Sequence, residues 1–212
     1  MLRLRGNIDY SLYLVTYEYT GQAHERFMKQ IENALIGGVT VVQLRAKHLS
    51  GKEFYELALE VKELVHHYKV PFIVNDRLDI ALGVDADGLH IGQEDIPADV
   101  ARRWIGDNKI LGVSAKTVEE ARRAVLDGAD YLGVGSMFPT ATKKDAVVTS
   151  FAELQKIKQS VEIPIVAIGG INLQNVKQLK EAGVQGIAVV SAILQKDDPR
   201  LAAKELLKAF KD

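Results

Sequence analysis

Short apolar runs of about five residues alternate with amphipathic stretches of roughly 10 to 18 along the whole chain, and this alternation limits the fold more than any other feature, because it is the pattern of repeated strand–helix units around a parallel sheet. The runs are Leu12–Val15, Thr40–Leu44, Phe72–Val74, Gly88–Ile91, Ile110–Val113, Tyr131–Val134, Ile165–Ile168 and Ile187–Val190. They are rich in Val and Ile with little polar alternation, which suits strands covered on both faces. Helices are expected between them at Gln22–Ile36, from Ser50 to Tyr68, at Arg77–Leu82, Pro97–Trp104, Ala121–Leu126, Phe151–Gln159, Leu173–Glu181 and Pro199–Phe210. Ser50 with Glu53, and Thr117 with Glu120, have the spacing of a capping box, in which a hydroxyl and a carboxylate satisfy each other's backbone amides at a helix start. Gly37-Gly38 and Gly128 are placed to end helices.

Eight strands, each followed by a helix, close most naturally into a (β/α)8 TIM barrel, an α/β fold, here a single domain over residues 1–212 with short loops. An open doubly wound sheet is the alternative, but no G-x-G-x-x-G turn follows the first strand, so a dinucleotide fold has no support.

Net charge narrows the partners. With 27 basic and 28 acidic residues the formal charge is -1, so a broad basic footprint for nucleic acid or anionic lipid is missing and any anion binding must be local. There is no cysteine, which excludes disulfides, thiolate metal sites and a cysteine nucleophile and fits a reducing cytosol. No stretch approaches the roughly 20 apolar residues of a membrane span, and none follows the charged N-terminus as a signal peptide would. A soluble, cytoplasmic protein is expected.

In a barrel the active site gathers at the carboxyl ends of the strands, so the residues that follow each run carry the functional information. Strand two leads into Gln43, Arg45 and Lys47, which period-two alternation puts on one side of the pleat; an amide, a guanidinium and an ammonium together suit a charged ligand, the bland reading being that the two cations point to water. Strand three ends in Asn75-Asp76 and strand four leads to Asp95. Two carboxylates from neighbouring strands suit Mg²⁺, which takes a few carboxylates plus water and substrate oxygens, although Asp76 taken alone reads more readily as a helix cap. Asp79 and Asp87 read as cap or turn residues, and Ser114 ends strand five as a hydroxyl or another cap. Beyond strand six, the segment Gly133–Ala146 offers Thr140, Thr142, Lys143 and Lys144 to an anion, phosphate or pyrophosphate being the natural guest. Gly169-Gly170 and Ser191-Ala192 follow strands seven and eight, where phosphate sites of such barrels often lie. The five histidines show no metal-ligand spacing; His90 and His48 are the two near strand ends.

The strings VQLRAK (Val42–Lys47), IVNDRLDIAL (Ile73–Leu82), ADGLHIGQED (Ala86–Asp95), LGVSAKT (Leu111–Thr117), DYLGVGSMFPTATK (Asp130–Lys143), VAIGGI (Val166–Ile171) and GIAVVSAI (Gly186–Ile193) together resemble the thiamine phosphate synthase family, in order and over nearly the whole chain. The resemblance implies a transferase of a pyrimidinylmethyl group. Its reaction joins 4-amino-5-hydroxymethyl-2-methylpyrimidine diphosphate to 4-methyl-5-(2-hydroxyethyl)thiazole phosphate, giving thiamine phosphate and diphosphate. Carried over residue by residue, it implies that Gln43, Arg45, Lys47, Asn75, Ser114 and Lys143 hold the pyrimidine diphosphate, and that Asp76 and Asp95 hold Mg²⁺. Thr140 and Thr142 would contact the thiazole phosphate, with Gly170 and the Val190-Ser191 backbone around its phosphoryl group. It also implies a dissociative course, in which Arg45, Lys47, Ser114 and Lys143 assist departure of the diphosphate before the thiazole nitrogen captures the pyrimidinylmethyl cation. Ser136 stands where many relatives have proline, which removes none of these contacts. Two alternatives stay open: a thiazole tautomerase, which shares the barrel and the GGI segment but typically lacks the full QLRxK and TxTK sets, and a non-catalytic sensor of thiamine phosphate. The first needs a positioned base such as His90 or His48, and the second has no use for Asp76, Asp95 and Lys143.

Overall fold

In a computed structural model of the protein, which describes residues 8–140 and 148–212, eight parallel strands form a closed barrel in which each pairs with its neighbours in chain order and the last returns to the first. The strands are β1 Leu12–Val15, β2 Val41–Leu44, β3 Phe72–Asn75, β4 Gly88–Ile91, β5 Ile110–Ala115, β6 Tyr131–Val134, β7 Ile165–Ile168 and β8 Gly186–Val189. The helices among the described residues are α1 His24–Ile36, α2 Gly51–His67, α3 Leu78–Gly83, α4 Ala98–Ile105, α5 Val118–Leu126, α6 Phe151–Ser160, α7 Val176–Glu181, α8 Ser191–Leu194 and α9 Pro199–Lys211.

The expected elements are therefore present, with differences that have local causes. Ser50 makes the full capping box with Glu53, whereas at α5 Thr117 accepts the Glu120 amide while the Glu120 carboxylate takes the Lys116 amide instead of closing the box. The helix expected at Leu173–Glu181 starts only at Val176, because Asn172 and Asn175 fold the preceding residues into side-chain turns: Asn175 Oδ1 accepts from the Asn172 amide and Asn172 Oδ1 from that of Gln174. The short helix α8 was not anticipated.

Every strand is covered on both faces, and the two faces build separate cores. Leu12, Leu14, Val42, Leu44, Val74, Leu89, Leu111 and Leu132 face outward against the helices in one continuous apolar layer. Tyr13, Val15, Val41, Ile73, Ile110, Tyr131, Val166 and Ala188 face inward and, with Tyr10, fill the barrel interior. The near-continuous apolar runs follow from this double burial.

The amino ends of the strands are tied by a device that repeats around the ring. The residue just before each even-numbered strand donates its own amide to a carbonyl at the start of the preceding strand and accepts that same residue's amide on its side chain. Thr40 does so with Leu12, Asp87 with Phe72, Asp130 with Leu111 and Gln185 with Ile165. A strand's first amide has no partner on one side, and burial without one is costly. Asp87 also takes His66 Nε2 at 2.7 Å, so its side chain is a strand clamp, not the turn residue expected from sequence. Replacing Asp87 by Ala leaves the Phe72 amide unpaired beneath the barrel and is expected to cost about 1–3 kcal/mol in urea unfolding. Asp85→Asn, which keeps a residue tolerant of the φ of 51 there and removes only a largely exposed charge paired with Lys109, should lose under about 1 kcal/mol in the same assay.

Candidate functional site

The carboxyl mouth of the barrel collects polar groups because the strands change character there: apolar pairs on the inner face give way to Gln43, Asn75, His90 and Ser114. Gln43 and His90 lie within β2 and β4, and Asn75 and Ser114 at or near the ends of β3 and β5. Gln43 is buried, and its Nε2 donates to the Tyr13 hydroxyl at 2.8 Å. Just beyond β2, Thr16 from the β1 side fastens the chain, its amide donating to the Gln43 carbonyl and its hydroxyl accepting from the Arg45 amide, both at 2.9 Å.

Arg45 and Lys47 do not point freely to water. Arg45 Nη1 donates to Glu18, whose other carboxylate oxygen accepts the His48 amide at 3.0 Å. Glu18 thus ties both the guanidinium and the β2–α2 connection. Lys47 Nζ lies 2.6 Å from Asp76 Oδ2. Asp76 adopts φ 61 and is not the cap of α3, whose N-cap position is Arg77 and carries no side-chain cap bond, so the capping reading of Asp76 falls. A cleft of about 190 Å³ opens here, lined by Lys47, Phe54, Asn75, Asp76 and Arg77.

Asp95 reaches the same place from the β4–α4 turn, where its Oδ2 accepts the Gly92 amide at 2.7 Å. Its pKa is raised, first by burial and further by the charge and hydrogen bonding of Asp76, against the opposing Gly92 bond and Lys47. Two carboxylates held side by side with one ammonium between strands form an oxygen donor set of the kind a divalent cation takes, completed by water and ligand oxygens. Among the described residues no group of three or more His, Asp or Glu side chains is placed to hold a metal ion.

At the end of the neighbouring β5, Ser114 Oγ meets His90 Nε2 at 3.0 Å, and the Ser114 carbonyl accepts from Gln93 Nε2 at 2.6 Å. The surrounding interior disfavours the imidazolium and pushes the His90 pKa down to about 4, so the ring is neutral at physiological pH. Gly170, at φ 66, packs so closely on Phe138 and Pro139 that a Cβ there would collide with both. Its carbonyl accepts from Asn175 Nδ2 at 3.0 Å. Val190 and Ser191 lead β8 into α8 and are half-buried, as is Thr140. Thr142, Lys143 and Lys144 lie outside the described residues.

The structure therefore brings Gln43, Arg45, Lys47, Asn75, Asp76, Asp95 and Ser114 to the β2–β5 side, and Gly170, Val190 and Ser191 to the β7–β8 side. Sequence reasoning passed over Glu18, Tyr13 and Tyr131. Glu18 follows β1 as Lys47 follows β2, but its tie to Arg45 is set only by the pairing of the two strands.

The fold and its polar carboxyl mouth define the class, a (β/α)8 barrel of the enzyme type. Comparison with known proteins narrows it: the family described as thiamine monophosphate synthase matches residues 12–193. The thiamine-phosphate synthases of Clostridium tetani and Methanobrevibacter smithii are 53% and 52% identical over 206 residues, each alignment covering 97% of this chain and 98% of the relative. A solved structure of thiamine phosphate pyrophosphorylase from Pyrococcus furiosus superposes with a TM-score of 0.87 at 43% identity, over 98% of both chains. The chain belongs to the thiamine monophosphate synthase family.

The raised pKa of Asp95 gives a stability signature. A carboxyl that holds its proton more tightly when folded opposes folding once ionised, so stability is lost as pH rises from the unfolded value near 3.8 through the folded one. In chelator, Asp95→Asn should melt above the wild type at neutral pH, with the advantage shrinking as pH falls through the raised folded pKa and lost below the unfolded value near 3.8. A variant less stable than wild type at neutral pH would show that Asp95 serves the fold, not the site.

Proposed function

We infer that the chain is a thiamine phosphate synthase, joining 4-amino-5-hydroxymethyl-2-methylpyrimidine diphosphate to 4-methyl-5-(2-hydroxyethyl)thiazole phosphate with release of diphosphate. The observation that carries the reading is the meeting of Lys47, Asp76 and Asp95 at one cleft, with Arg45 just before Lys47 on the β2–α2 connection, in a chain about half identical to synthases over almost its full length. We read that cleft as the seat of the diphosphate.

On this reading Gln43 and Asn75 orient the pyrimidine from the inner face of β2 and β3. Arg45, Lys47 and Ser114, with Lys143 assigned from sequence alone, donate to the diphosphate. Asp76 and Asp95 would hold Mg²⁺, which when bound supplies charge neutralisation to the leaving group. Departure of the diphosphate places negative charge where these donors point, and a preorganised donor is worth more to that state than to the ground state. Without ligand, Glu18 and Asp76 hold Arg45 and Lys47 at the mouth, and the diphosphate takes the place of these partners. The thiazole nitrogen carries its own lone pair and needs no base to capture the pyrimidinylmethyl cation. Thr140, Thr142, Gly170 and the Val190-Ser191 backbone take the thiazole phosphate, the last beside the start of α8.

The neutral His90, enclosed and engaged at both nitrogens, is poorly placed as the general base of a tautomerase. No helix among the described residues is long and apolar enough to cross a membrane, and small molecules are the expected partners, in the cytoplasm.

Incubation with both substrates and Mg²⁺ should yield equimolar thiamine phosphate and diphosphate; formation of neither overturns the assignment. Asp76→Asn should remain folded and demand far more Mg²⁺ for the same rate, while wild-type activity across a Mg²⁺ titration would remove Asp76 from the ligand set. Lys143→Ala should slow single-turnover cleavage by about 10²–10³-fold, the usual cost of one donor to developing charge.

A further inference from the structure

The barrel interior of this chain contains a hydrogen-bonded chain that runs from β2 to β5 through three other strands, β1, β6 and β4. Gln43 Nε2 donates to Tyr13 Oη at 2.8 Å; the Tyr13 and Tyr131 hydroxyls are 2.7 Å apart; Tyr131 Oη lies 2.9 Å from His90 Nδ1; and His90 Nε2 lies 3.0 Å from Ser114 Oγ. Gln43, Tyr13 and Tyr131 are each at most 4% exposed. No buried side-chain nitrogen or oxygen among the described residues lacks a partner.

Counting hydrogens gives this chain a direction. The Tyr13 hydroxyl already accepts from Gln43, and its one hydrogen has Tyr131 as the remaining partner, so Tyr13 donates to Tyr131. The Tyr131 hydrogen must then go to His90 Nδ1, because returning it to Tyr13 would leave a buried hydroxyl hydrogen with no acceptor. An accepting Nδ1 makes His90 the neutral Nε2–H tautomer, which donates to Ser114 Oγ. With its lone pair engaged from below, Ser114 has its own hydrogen left for the open mouth, where no described residue accepts it. An imidazolium, donating from both nitrogens, breaks the same count. Turning the Gln43 amide over would reverse every link and make Ser114 donate inward to His90.

The inner face has been cleared to permit the chain. Gly112 and Gly133 occupy inward positions of β5 and β6 between these rings; a Cβ on Gly112 would overlap the Tyr131 hydroxyl and His90 Nδ1, and one on Gly133 would press on His90 Cε1 at 2.9 Å. Side chains ordinarily fill a barrel at such positions.

We propose that Tyr13, Tyr131 and His90 are positioning residues that hold Ser114 as a one-way hydrogen-bond donor into the mouth of the barrel. Gln43 and Ser114, on strands three apart, are thereby coupled, so that a ligand gripping the Gln43 amide meets a Ser114 already oriented. The role assigned to Ser114 rests on the synthase reading; the direction of the chain does not.

The two are tested separately. Long-range ¹H–¹⁵N spectra of the ligand-free protein, with His90 assigned by its loss in His90→Gln, should show Nε2 protonated and Nδ1 bare at neutral pH. An Nδ1–H tautomer or an imidazolium overturns the proposal whether or not the protein makes thiamine phosphate. Tyr131→Phe removes the donor to Nδ1, and the tautomer should lose its single form. With it, kcat/KM for the pyrimidine diphosphate should fall about tenfold, the loss expected for one oriented hydrogen bond. Tyr13→Phe leaves the Tyr131 hydrogen on His90, so the tautomer should persist. A Tyr131→Phe protein whose tautomer is scrambled but whose kcat/KM is unchanged overturns the positioning role.

Discussion

The hydroxyls of Tyr13 and Tyr131 meet inside the barrel at 2.7 Å, and the character of the inner core depends on that contact. A parallel barrel of this size is normally filled by aliphatic layers, which need nothing from one another beyond volume. Two tyrosines cannot be buried on those terms, since each hydroxyl needs a partner, and burial raises both phenol pKa values well above the ordinary range. Each hydroxyl therefore recruits the other and one further group, Gln43 on one side and His90 on the other. The interior becomes a polar strut whose ends emerge at the mouth. Such networks specify one arrangement when every member is satisfied, as here.

The rest of the molecule separates tasks by position along the strands. Outward residues meet the helices in an aliphatic layer that carries most of the apolar burial. The amino ends are closed by the reciprocal clamps of Thr40, Asp87, Asp130 and Gln185, which satisfy the first amides of β1, β3 and β7 and the second of β5. The carboxyl ends are left with charged groups in close opposition: Arg45 on Glu18, Lys47 on Asp76, and Asp76 beside Asp95. Opposed charges at the open mouth exchange partners with a charged ligand at modest cost, whereas the clamps below have none to exchange with.

The barrel was legible because double burial writes itself as uninterrupted Val/Ile/Leu runs, and eight of them in order leave few topologies. The strand-end residues were legible for the same reason: once β2 is placed, Gln43 must face inward. Other features carried no such pattern. Asp87 reads as a turn residue because its partners, Phe72 and His66, are 15 and 21 residues away in sequence. Glu18 sits among aromatic residues that suggest packing, and its tie to Arg45 exists only after β1 and β2 pair. Tyr13 and Tyr131 are indistinguishable in sequence from the apolar residues around them, and 118 positions separate them. The start of α7 was misplaced because Asn172 and Asn175 form side-chain turns that helix periodicity does not register.

The central claim is that the cleft on the β2–β4 side receives the diphosphate, and a crystal structure with the pyrimidine diphosphate and Mg²⁺ but no thiazole phosphate tests it most directly. The account predicts the diphosphate within hydrogen-bond reach of Arg45 and Lys47, a cation between its oxygens and Asp76 and Asp95, and Lys47 drawn away from Asp76. A diphosphate lodged instead against Gly170 and Ser191, with the Lys47–Asp76 pair intact, would contradict it.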